Sequence, residues 1–500
     1  MMSEKYLKYK HKYLSLKTKY EILMSNIAET NLFNGDQLPI SNKTSIMHTS
    51  TSNGVQLNTP DLSKFISSSN QLAILNSNSP FSLTLNPEII AKNQHNYNKN
   101  IGTDFKITDQ KNSGRCWIFA TLNMIRFLAR DKWKNEMDTE NLEFSQSYLF
   151  FYEKYERYHR YLYYYVDINS INEPNIKEHL LTFICQNPLS DGGQWDMIAA
   201  VIKKYGIVPK HIFQDSNYAK NSDAMNIILT EMLKQDWFIL SKTTPNEIPE
   251  LIQEMMKKVL TTLISFLGKP PDPNTTFNWD FTFKENHKEN HKENHAVWTN
   301  LTPLGLLEKS GFKPDEWISI VNDPREEHPY NNYYQIQYLG NVYNQHVGWL
   351  NVDIERLKKM TTDSIDLKIP VWVGCDVGAR SDINSGIHDP NINKIHEILE
   401  LNNTMSKKER LRYYSSVPSH AMVITAYHNE NNKATRFRVE NSWGNSKGSN
   451  GYLLFTENWF NEYVFQIVVK KNILNDEEKQ AINKKTIYIM PWDPIGVLAC

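Results

Sequence analysis

The chain has 500 residues and a mass of 58.5 kDa, enough for about three domain-sized units or for one large domain with insertions. Apolar residues make up 40% of it and charged residues 22%, as in ordinary globular proteins, which excludes a wholly disordered chain. Its 55 basic and 56 acidic residues give a formal net charge of −1, so total charge leaves nucleic-acid binding open but unsupported. No apolar run approaches the ~18 residues of a membrane-spanning helix.

Residues 1–26 form a basic leader in which Tyr6, Tyr13 and Tyr20 recur every seven residues. This spacing predicts an amphipathic helix, either simply solvated or used for docking to a partner, to a membrane surface or in packaging. The leader resembles those of some giant-virus proteins. Residues 27–61 are rich in Asn, Ser and Thr and predict a flexible linker before a folded region at 62–500.

Four cysteines are spread too thinly for a disulfide scaffold or a paired metal site. They favour a reducing, cytoplasmic location, which would be the host cytoplasm or the virion if the protein is viral. A Lys-Glu-Asn-His unit occurs three times within 284–295 and places His287, His291 and His295 four residues apart. Because the segment is wholly polar, we expect a solvated loop there, and we predict no metal site.

The segment from Gln110 to Trp117 carries the strongest chemical signal. Turn-forming residues end just before Cys116, and the apolar run after it predicts a helix that is buried all round. The N-terminus of a helix favours an anion, here the Cys116 thiolate. Taken alone, such a cysteine is also typical of a small core residue.

A cysteine nucleophile needs a base, and the base needs a group that orients it. His420 begins an apolar, strand-like run, and Asn441 ends another such run before Ser442, Trp443 and Gly444. An asparagine can accept the imidazole N–H without adding charge. The order Cys116, His420, Asn441 therefore predicts a nucleophile, a base and an orienting amide.

Ser113-Gly114-Arg115-Cys116-Trp117 resembles the active-site signature of papain-like cysteine proteases, and the Asn-Ser-Trp-Gly block matches the same family. Ser113 stands where secreted members carry a disulfide cysteine, as expected for a cytosolic branch. The resemblance implies that the Gln110 amide donates into the oxyanion hole beside the Cys116 N–H. It also implies an α+β fold with two lobes, a helical one with Cys116 and a β-rich one with His420 and Asn441.

The separation of Cys116 and His420 is 304 residues, roughly twice the 130–150 of papain itself. We therefore expect a large, mainly helical insertion over about 210–400. The enlarged chain is similar to the bleomycin hydrolase (aminopeptidase C) branch, and further blocks at 191–197, 205–210, 321–325, 371–378 and 490–499 extend that similarity.

Membership of this branch implies an aminopeptidase that acts on peptides, uses no metal or organic cofactor and forms a homohexamer. Gly192 and Gly193 would let the substrate backbone approach closely. A C-terminal arm, residues 490–500, would lie irregularly in the cleft, and loss of Cys500 would expose the carboxylate of Ala499 to the substrate's α-amino group.

Two alternatives remain at this stage, a papain-like endopeptidase with an open cleft and a catalytically idle binding protein on the same fold. Cys185 and Cys375 lie in apolar runs and are expected to be inert core thiols. Trp195 is expected to pack in the core and not to contact substrate.

Overall fold

The computed structural model describes residues 79–499, except 103, 138, 285–292 and 402–403. The chain divides into two compact units, Met1–Thr84 and Leu85–Cys500. In the first unit the described part is residues 79–84, which include the short helix α1 (Pro80–Leu83). The predicted leader (1–26), the predicted linker (27–61) and the predicted boundary at residue 62 lie outside the described residues.

Long helices dominate the N-terminal half of the second unit. Its described helices are α2 (Pro87–Lys92), α3 (Cys116–Trp133), α4 (Gln146–Asn169), α5 (Pro174–Gln186), α6 (Trp195–Tyr205), α7 (Asn217–Lys220), α8 (Asp223–Leu240), α9 (Ile248–Leu267), α10 (Pro303–Ser310), α11 (Ile354–Asp366), α12 (Ile395–Ile398), α13 (Lys407–Arg412), α14 (Glu457–Tyr463) and α15 (Asp476–Asn483). Short 3-10 helices cover Pro314–Glu316, Lys471–Ile473 and Pro494–Ala499. Within the described stretches, no helix combines the length and apolar character needed to cross a membrane.

Strands dominate the C-terminal half. They are β1 (Lys99–Asn100), β2 (Phe277–Lys284), β3 (Glu293–Leu301), β4 (Trp317–Val321), β5 (Asn332–Ile336), β6 (Val347–Asn351), β7 (Val371–Cys375), β8 (Ser381–Asp382), β9 (Ile387–His388), β10 (His420–Glu430), β11 (Lys433–Glu440), β12 (Tyr452–Thr456), β13 (Val464–Lys470) and β14 (Ile487–Ile489).

All of these strands except β2 and β3 join one mixed sheet, in the order β14-β5-β6-β4-β13-β7-β10-β11-β12-β9-β8, with β1 paired to β10. At its centre, β7 runs antiparallel to both β13 and β10. Every residue of β7 is buried, as its continuous apolar run Val-Trp-Val-Gly-Cys requires. The β7–β10 register sets His420 opposite Cys375.

Helix α3 joins the helical part of this unit to the sheet. Most of its side chains are buried, as predicted, and it packs against β10. The Trp372 indole Nε1 on β7 donates to the carbonyl oxygen of Trp117 at 3.5 Å. The start of α3 is therefore held against β7, the neighbour of β10 in the sheet.

The region of the predicted, mainly helical insertion, about 210–400, contains strands as well as helices. Helices α7, α8 and α9 cover residues 217–267, but β4, β5, β6 and β7 follow them and belong to the main sheet. The reason lies in the sequence of these strands. Trp317–Val321 and Val371–Cys375 are short, fully buried runs rich in β-branched residues, and five residues are too few for a buried helix.

The described residues of the Lys-Glu-Asn-His repeat, Lys284 and residues 293–295, belong to the antiparallel pair of strands β2 and β3. His287 and His291 lie outside the described residues, whereas His295 belongs to β3 and is opposite Thr282. Strand pairing therefore extends into the polar segment for which a solvated loop was expected. The described residues contain no group of three or more His, Cys, Asp or Glu arranged to hold a metal ion.

Candidate active site

Cys116 is the first residue of α3, and only 5% of it is exposed. Its thiol interacts with the backbone N–H groups of Ala421, Trp117 and Cys116 itself. Burial raises the pKa of the Cys116 thiol to about 11, because those N–H groups offset the desolvation only in part. The thiolate expected at this helix start therefore needs a further positive charge, which a neighbouring imidazolium would supply.

His420 is the residue before Ala421 and opens β10. Its Nε2 lies 2.9 Å from Oδ1 of Asn441, which directly follows β11. The same Oδ1 accepts from the Ser442 backbone N at 2.7 Å, so it acts as an acceptor and Nε2 carries the hydrogen. In the neutral ring this tautomer leaves Nδ1 as the proton acceptor.

Trp443 covers the His420–Asn441 pair. The ring centroids of His420 and Trp443 are 4.7 Å apart, and the planes are inclined by 32°. Asn441 is 2% exposed and His420 is also 2% exposed. The hydrogen bond between them is thus shielded from water, which strengthens it.

Gln110 ties the loop before Cys116 to the segment after Asn441. Its Oε1 accepts from Ser442 Oγ at 2.6 Å, and its backbone N donates to the Ser442 carbonyl oxygen at 2.9 Å. Its Nε2 donates to the Ser113 carbonyl oxygen at 2.7 Å and carries a second hydrogen. The residue predicted to line the oxyanion hole is therefore held in place at both ends of its amide.

Gly193 lies directly against the nucleophile's helix. A Cβ atom at this position would overlap the Trp117 indole, which is itself fully buried. Gly192 is half-buried, and its carbonyl oxygen accepts from Nη2 of Arg157. Close approach of a protein ring gives a structural reason for Gly193, beside the substrate contact expected for both glycines.

The C-terminal arm reaches the same region. Its residues 494–499 form a 3-10 helix and not the irregular chain expected from Pro494 and Gly496, because the Gly496 N–H bonds to the Asp493 carbonyl at 2.9 Å. The Ile495 carbonyl oxygen accepts from Nε2 of Gln194 at 3.1 Å, and Ile495 is 1% exposed. Ala499 ends this helix, and Cys500 lies outside the described residues.

An ion pair anchors the arm before it enters this region. Arg325 Nη2 donates to both carboxylate oxygens of Asp493, at 3.0 and 2.8 Å, and to Oδ2 of Asp323 at 2.6 Å. Trp492 stacks on the imidazole of His179 with ring centroids 4.0 Å apart. The arm is therefore fixed by contacts on several sides.

Buried charges around the nucleophile were missed in the sequence. Arg115 is fully buried and pairs with Asp215, with 3.3 Å between Nη1 and Oδ1. Lys154 of α4 is also fully buried and lies 3.1 Å from Asp191. The block at 191–197 contributes to the resemblance, but a charged residue in a motif does not reveal a partner 37 residues earlier in the chain.

The other residues noted in the sequence lie in the core or near it. Cys375 is fully buried, and burial raises its pKa well above the usual value of a thiol. Cys185 is half-buried, and burial raises the pKa of its thiol as well. Trp195 is 1% exposed and packs on Phe312, Trp317 and Trp372, as expected of a core residue.

Comparison with known proteins agrees with this geometry. A model of the peptidase C1-like family matches residues 62–496. Aminopeptidase C of Lactococcus lactis is 36% identical over 79% of this chain and 87% of its own length, and human bleomycin hydrolase is 36% identical over 79% and 86%.

Among solved structures, PepW from Lactobacillus rhamnosis superposes with a TM-score of 0.79 at 31% identity, covering 88% of this chain and 99% of that one. The predicted papain-like α+β fold and the resemblance to the bleomycin hydrolase and aminopeptidase C branch are confirmed. The chain belongs to the peptidase C1-like family and is a cysteine-type peptidase.

Proposed function

We propose that the protein is a cysteine aminopeptidase of bleomycin hydrolase type, which removes N-terminal residues from peptides through Cys116, His420 and Asn441. The observation that carries the mechanism is the 2.9 Å contact of His420 Nε2 with Asn441 Oδ1. His420 directly precedes Ala421, whose backbone N–H interacts with the Cys116 thiol. The names of the relatives, aminopeptidase C and bleomycin hydrolase, support the substrate class.

In the first half of the reaction, the Cys116 sulfur attacks the carbonyl carbon of the first peptide bond and its proton passes to His420 Nδ1. The oxyanion that forms accepts from the Cys116 backbone N–H and from the second hydrogen of Gln110 Nε2. His420 then gives the proton to the leaving amine as the C–N bond breaks. The products of this half are the shortened peptide and a thioester on Cys116.

In the second half, His420 Nδ1 takes a proton from a water molecule that attacks the thioester carbonyl. The C–S bond breaks, the sulfur recovers the proton from His420, and the amino acid leaves. Asn441 keeps Nε2 of the imidazole bonded throughout, so that Nδ1 stays directed at the sulfur. These steps need no cofactor, because the chain supplies the nucleophile and the base, and the transferred protons come from Cys116 and water.

We assign the preference for free N-termini to the C-terminal arm. Ile495 is fixed by Gln194, the residue after Gly193, so the arm reaches the expected substrate-binding edge. Removal of Cys500 would give Ala499 a carboxylate, which would pair with the α-amino group of the substrate. A buried, anchored arm also argues against the alternative of an endopeptidase, which needs room for residues on both sides of the cleaved bond.

The substrate class can be tested with paired fluorogenic peptides that differ only in N-acetylation. The parent enzyme should cleave the free peptides and spare the acetylated ones, and Cys116→Ala should cleave neither. Deletion of residues 493–500 should admit the acetylated peptides. Cleavage of acetylated peptides by the parent would favour an endopeptidase, and no cleavage of any peptide would favour a binding protein.

We also propose that the chain forms a homohexamer, as its branch implies. Helix α8 supports self-association, because Ile227 and Phe238 on it are 58% and 61% exposed in the single chain. Apolar side chains with this exposure are common where subunits meet.

A further inference from the structure

We infer that Asp191 is a positioning residue for the nucleophile, because it holds the chain on both sides of Cys116. Its Oδ2 accepts from the backbone N of Gly114 at 3.0 Å, and its carbonyl oxygen accepts from the Trp117 indole Nε1 at 2.7 Å. Gly114 is two residues before Cys116 in the chain, and Trp117 is the residue after it. This inference rests on the proposed role of Cys116.

The carboxylate of Asp191 is built into the core. It is 7% exposed, and every side chain bonded to it is a donor: Lys154 Nζ at 3.1 Å, Asn226 Nδ2 at 2.7 Å and Ser222 Oγ. Burial alone would raise the pKa of Asp191, but Lys154 and these hydrogen bonds lower it below its usual range. The group is therefore a carboxylate, which can accept all of these bonds at once.

Lys154 connects this carboxylate to α4. Its Nζ also donates to the carbonyl oxygens of Leu189 and Ser190, each at 2.7 Å, so all three of its N–H groups are directed at residues 189–191. Arg157, one turn later on α4, donates to the Gly192 carbonyl oxygen. Lys154 and Arg157 thus hold residues 189–192 in place. Asp191, within this segment, in turn holds the loop before Cys116 through its bond to Gly114.

The loop before Cys116 and the segment 189–193 pack so closely that two of their positions have no room for a Cβ atom. A Cβ atom at Gly114 would lie 2.7 Å from the Cβ of Asp191, and one at Gly193 would overlap the Trp117 indole. Cys116, Cys185 and Cys375 are free thiols, so the tie between these two loops is made by hydrogen bonds and packing. Loss of the Gly114 bond would let the peptide units before Cys116 rotate.

The consequence for the reaction falls on the transition state. The Cys116 N–H is one of the two oxyanion donors proposed above, and its direction depends on those peptide units. A displaced donor weakens the bond to the oxyanion more than the binding of substrate, and a displacement of about 1 Å can cost about 100-fold in rate. Loss of Asp191 should therefore lower kcat and leave KM nearly unchanged.

The experiment compares Asp191→Leu with Glu478→Leu in the full-length enzyme. Leucine has no acceptor for the Gly114 N–H, whereas the amide oxygen of an asparagine would still accept from it. Glu478 is a matched control, because it is a buried carboxylate paired with Arg356 at 2.5 Å in α15. We expect Asp191→Leu to lower kcat about 100-fold with KM within about threefold of the parent. A peptide aldehyde, whose adduct with the sulfur carries the oxyanion, should bind more weakly by the same factor as kcat/KM falls. Glu478→Leu should retain the parent kcat and aldehyde affinity.

A second pair of variants separates positioning from stability. Asp191→Leu combined with Lys154→Met removes both buried charges and leaves no acceptor for the Gly114 N–H, so its Tm should recover toward that of the parent while kcat stays low. Asn226→Ala removes another partner of the carboxylate but keeps the Gly114 bond, and its kcat should fall less than about threefold. Recovery of kcat together with Tm in the double variant, or a kcat of Asp191→Leu equal to that of Glu478→Leu, would overturn the inference.

Cys116→Ala, measured beside these variants, distinguishes this inference from the proposed function. If Cys116→Ala retains activity, the proposed mechanism fails. If Cys116→Ala is inactive while Asp191→Leu turns over like the parent, only the positioning role is wrong.

Discussion

The hydrogen bond to Asn441 determines which of the two ring nitrogens of His420 can receive the thiol proton in the proposed mechanism. Nε2 is bonded to Asn441 Oδ1 at 2.9 Å, so Nδ1 is left for the sulfur. Without Asn441 the imidazole keeps its basicity but loses its orientation. Asn441→Ala should therefore lower kcat/KM by about 100-fold or less, and His420→Ala by about 10⁴-fold, since the base itself is lost. Equal losses in steady-state assays would show that Asn441 does not orient the base.

The pH dependence of Cys116 reactivity gives a second prediction for single residues. Burial raises the pKa of this thiol to about 11, so the proposed thiolate at neutral pH requires a base, here assigned to His420, to take the proton. In His420→Ala, alkylation by iodoacetamide should be slow at pH 7 and should become faster as the pH rises toward the raised pKa of the thiol. The parent enzyme should react readily at neutral pH. Identical profiles below pH 8 would mean that His420 does not share the thiol proton.

Cys116, Gln110, His420 and Asn441 could be proposed as site residues from the sequence because each occurs in a short block of local sequence. The buried pair of Lys154 and Asp191 could not, because it depends on how α4 packs against residues 189–192. The raised pKa of Cys116 was missed for a similar reason. A helix N-terminus is visible in the sequence, whereas desolvation by the surrounding chain is visible only in the fold.

Among the structural elements, the start of α3 depends on its contact with Gly193. Since the Trp117 indole is fully buried and cannot move aside, a methyl group at Gly193 would force the loop away from the helix. Gly193→Ala should lower the free energy of unfolding by about 1–3 kcal/mol in urea. Gly374→Ala is the matched control, because its nearest side-chain contacts would lie at 3.4 Å. Equal stability of the two variants would contradict the close packing described here.

The C-terminal arm depends in turn on the Arg325–Asp493 ion pair, in which both side chains are largely buried. Arg325→Gln leaves the Asp493 charge without its main partner and should loosen the arm. The kcat/KM ratio of acetylated to free peptides should rise about tenfold, the effect of roughly 1.4 kcal/mol. Arg356→Gln, which breaks a comparable pair with Glu478, should leave this ratio unchanged. An unchanged ratio in Arg325→Gln would show that this pair does not set the arm's position.

Element boundaries show where local pattern was sufficient. The apolar run after Cys116 gave the start of α3 correctly. Chain length alone could not show which residues between 210 and 400 form strands, and β4, β5, β6 and β7 within this region add to the main sheet. Such long-range pairing depends on partners that are distant in sequence.

At the scale of the whole molecule, the exposed apolar residues of α8 predict where copies of the chain meet. Phe238→Asp should shift the protein from the proposed hexamer to smaller species in sedimentation velocity, because burial of a charge would oppose the contact. Leu367→Asp is the control, since Leu367 is 57% exposed elsewhere on the surface. A hexamer that survives Phe238→Asp but not Leu367→Asp would place the contact on a different face.

In the proposed mechanism Cys116 carries the first residue of the substrate as a thioester. Acid quench of the enzyme during turnover of a free peptide, followed by tryptic digestion and mass spectrometry, tests this directly. We expect an adduct of a single N-terminal residue on the peptide that begins at Cys116 and ends at Arg126, and none with an acetylated peptide or in Cys116→Ala. An adduct on another residue, or an adduct longer than one residue, would contradict this mechanism. So would turnover of the parent without any adduct, if Cys116→Ala is also as active as the parent.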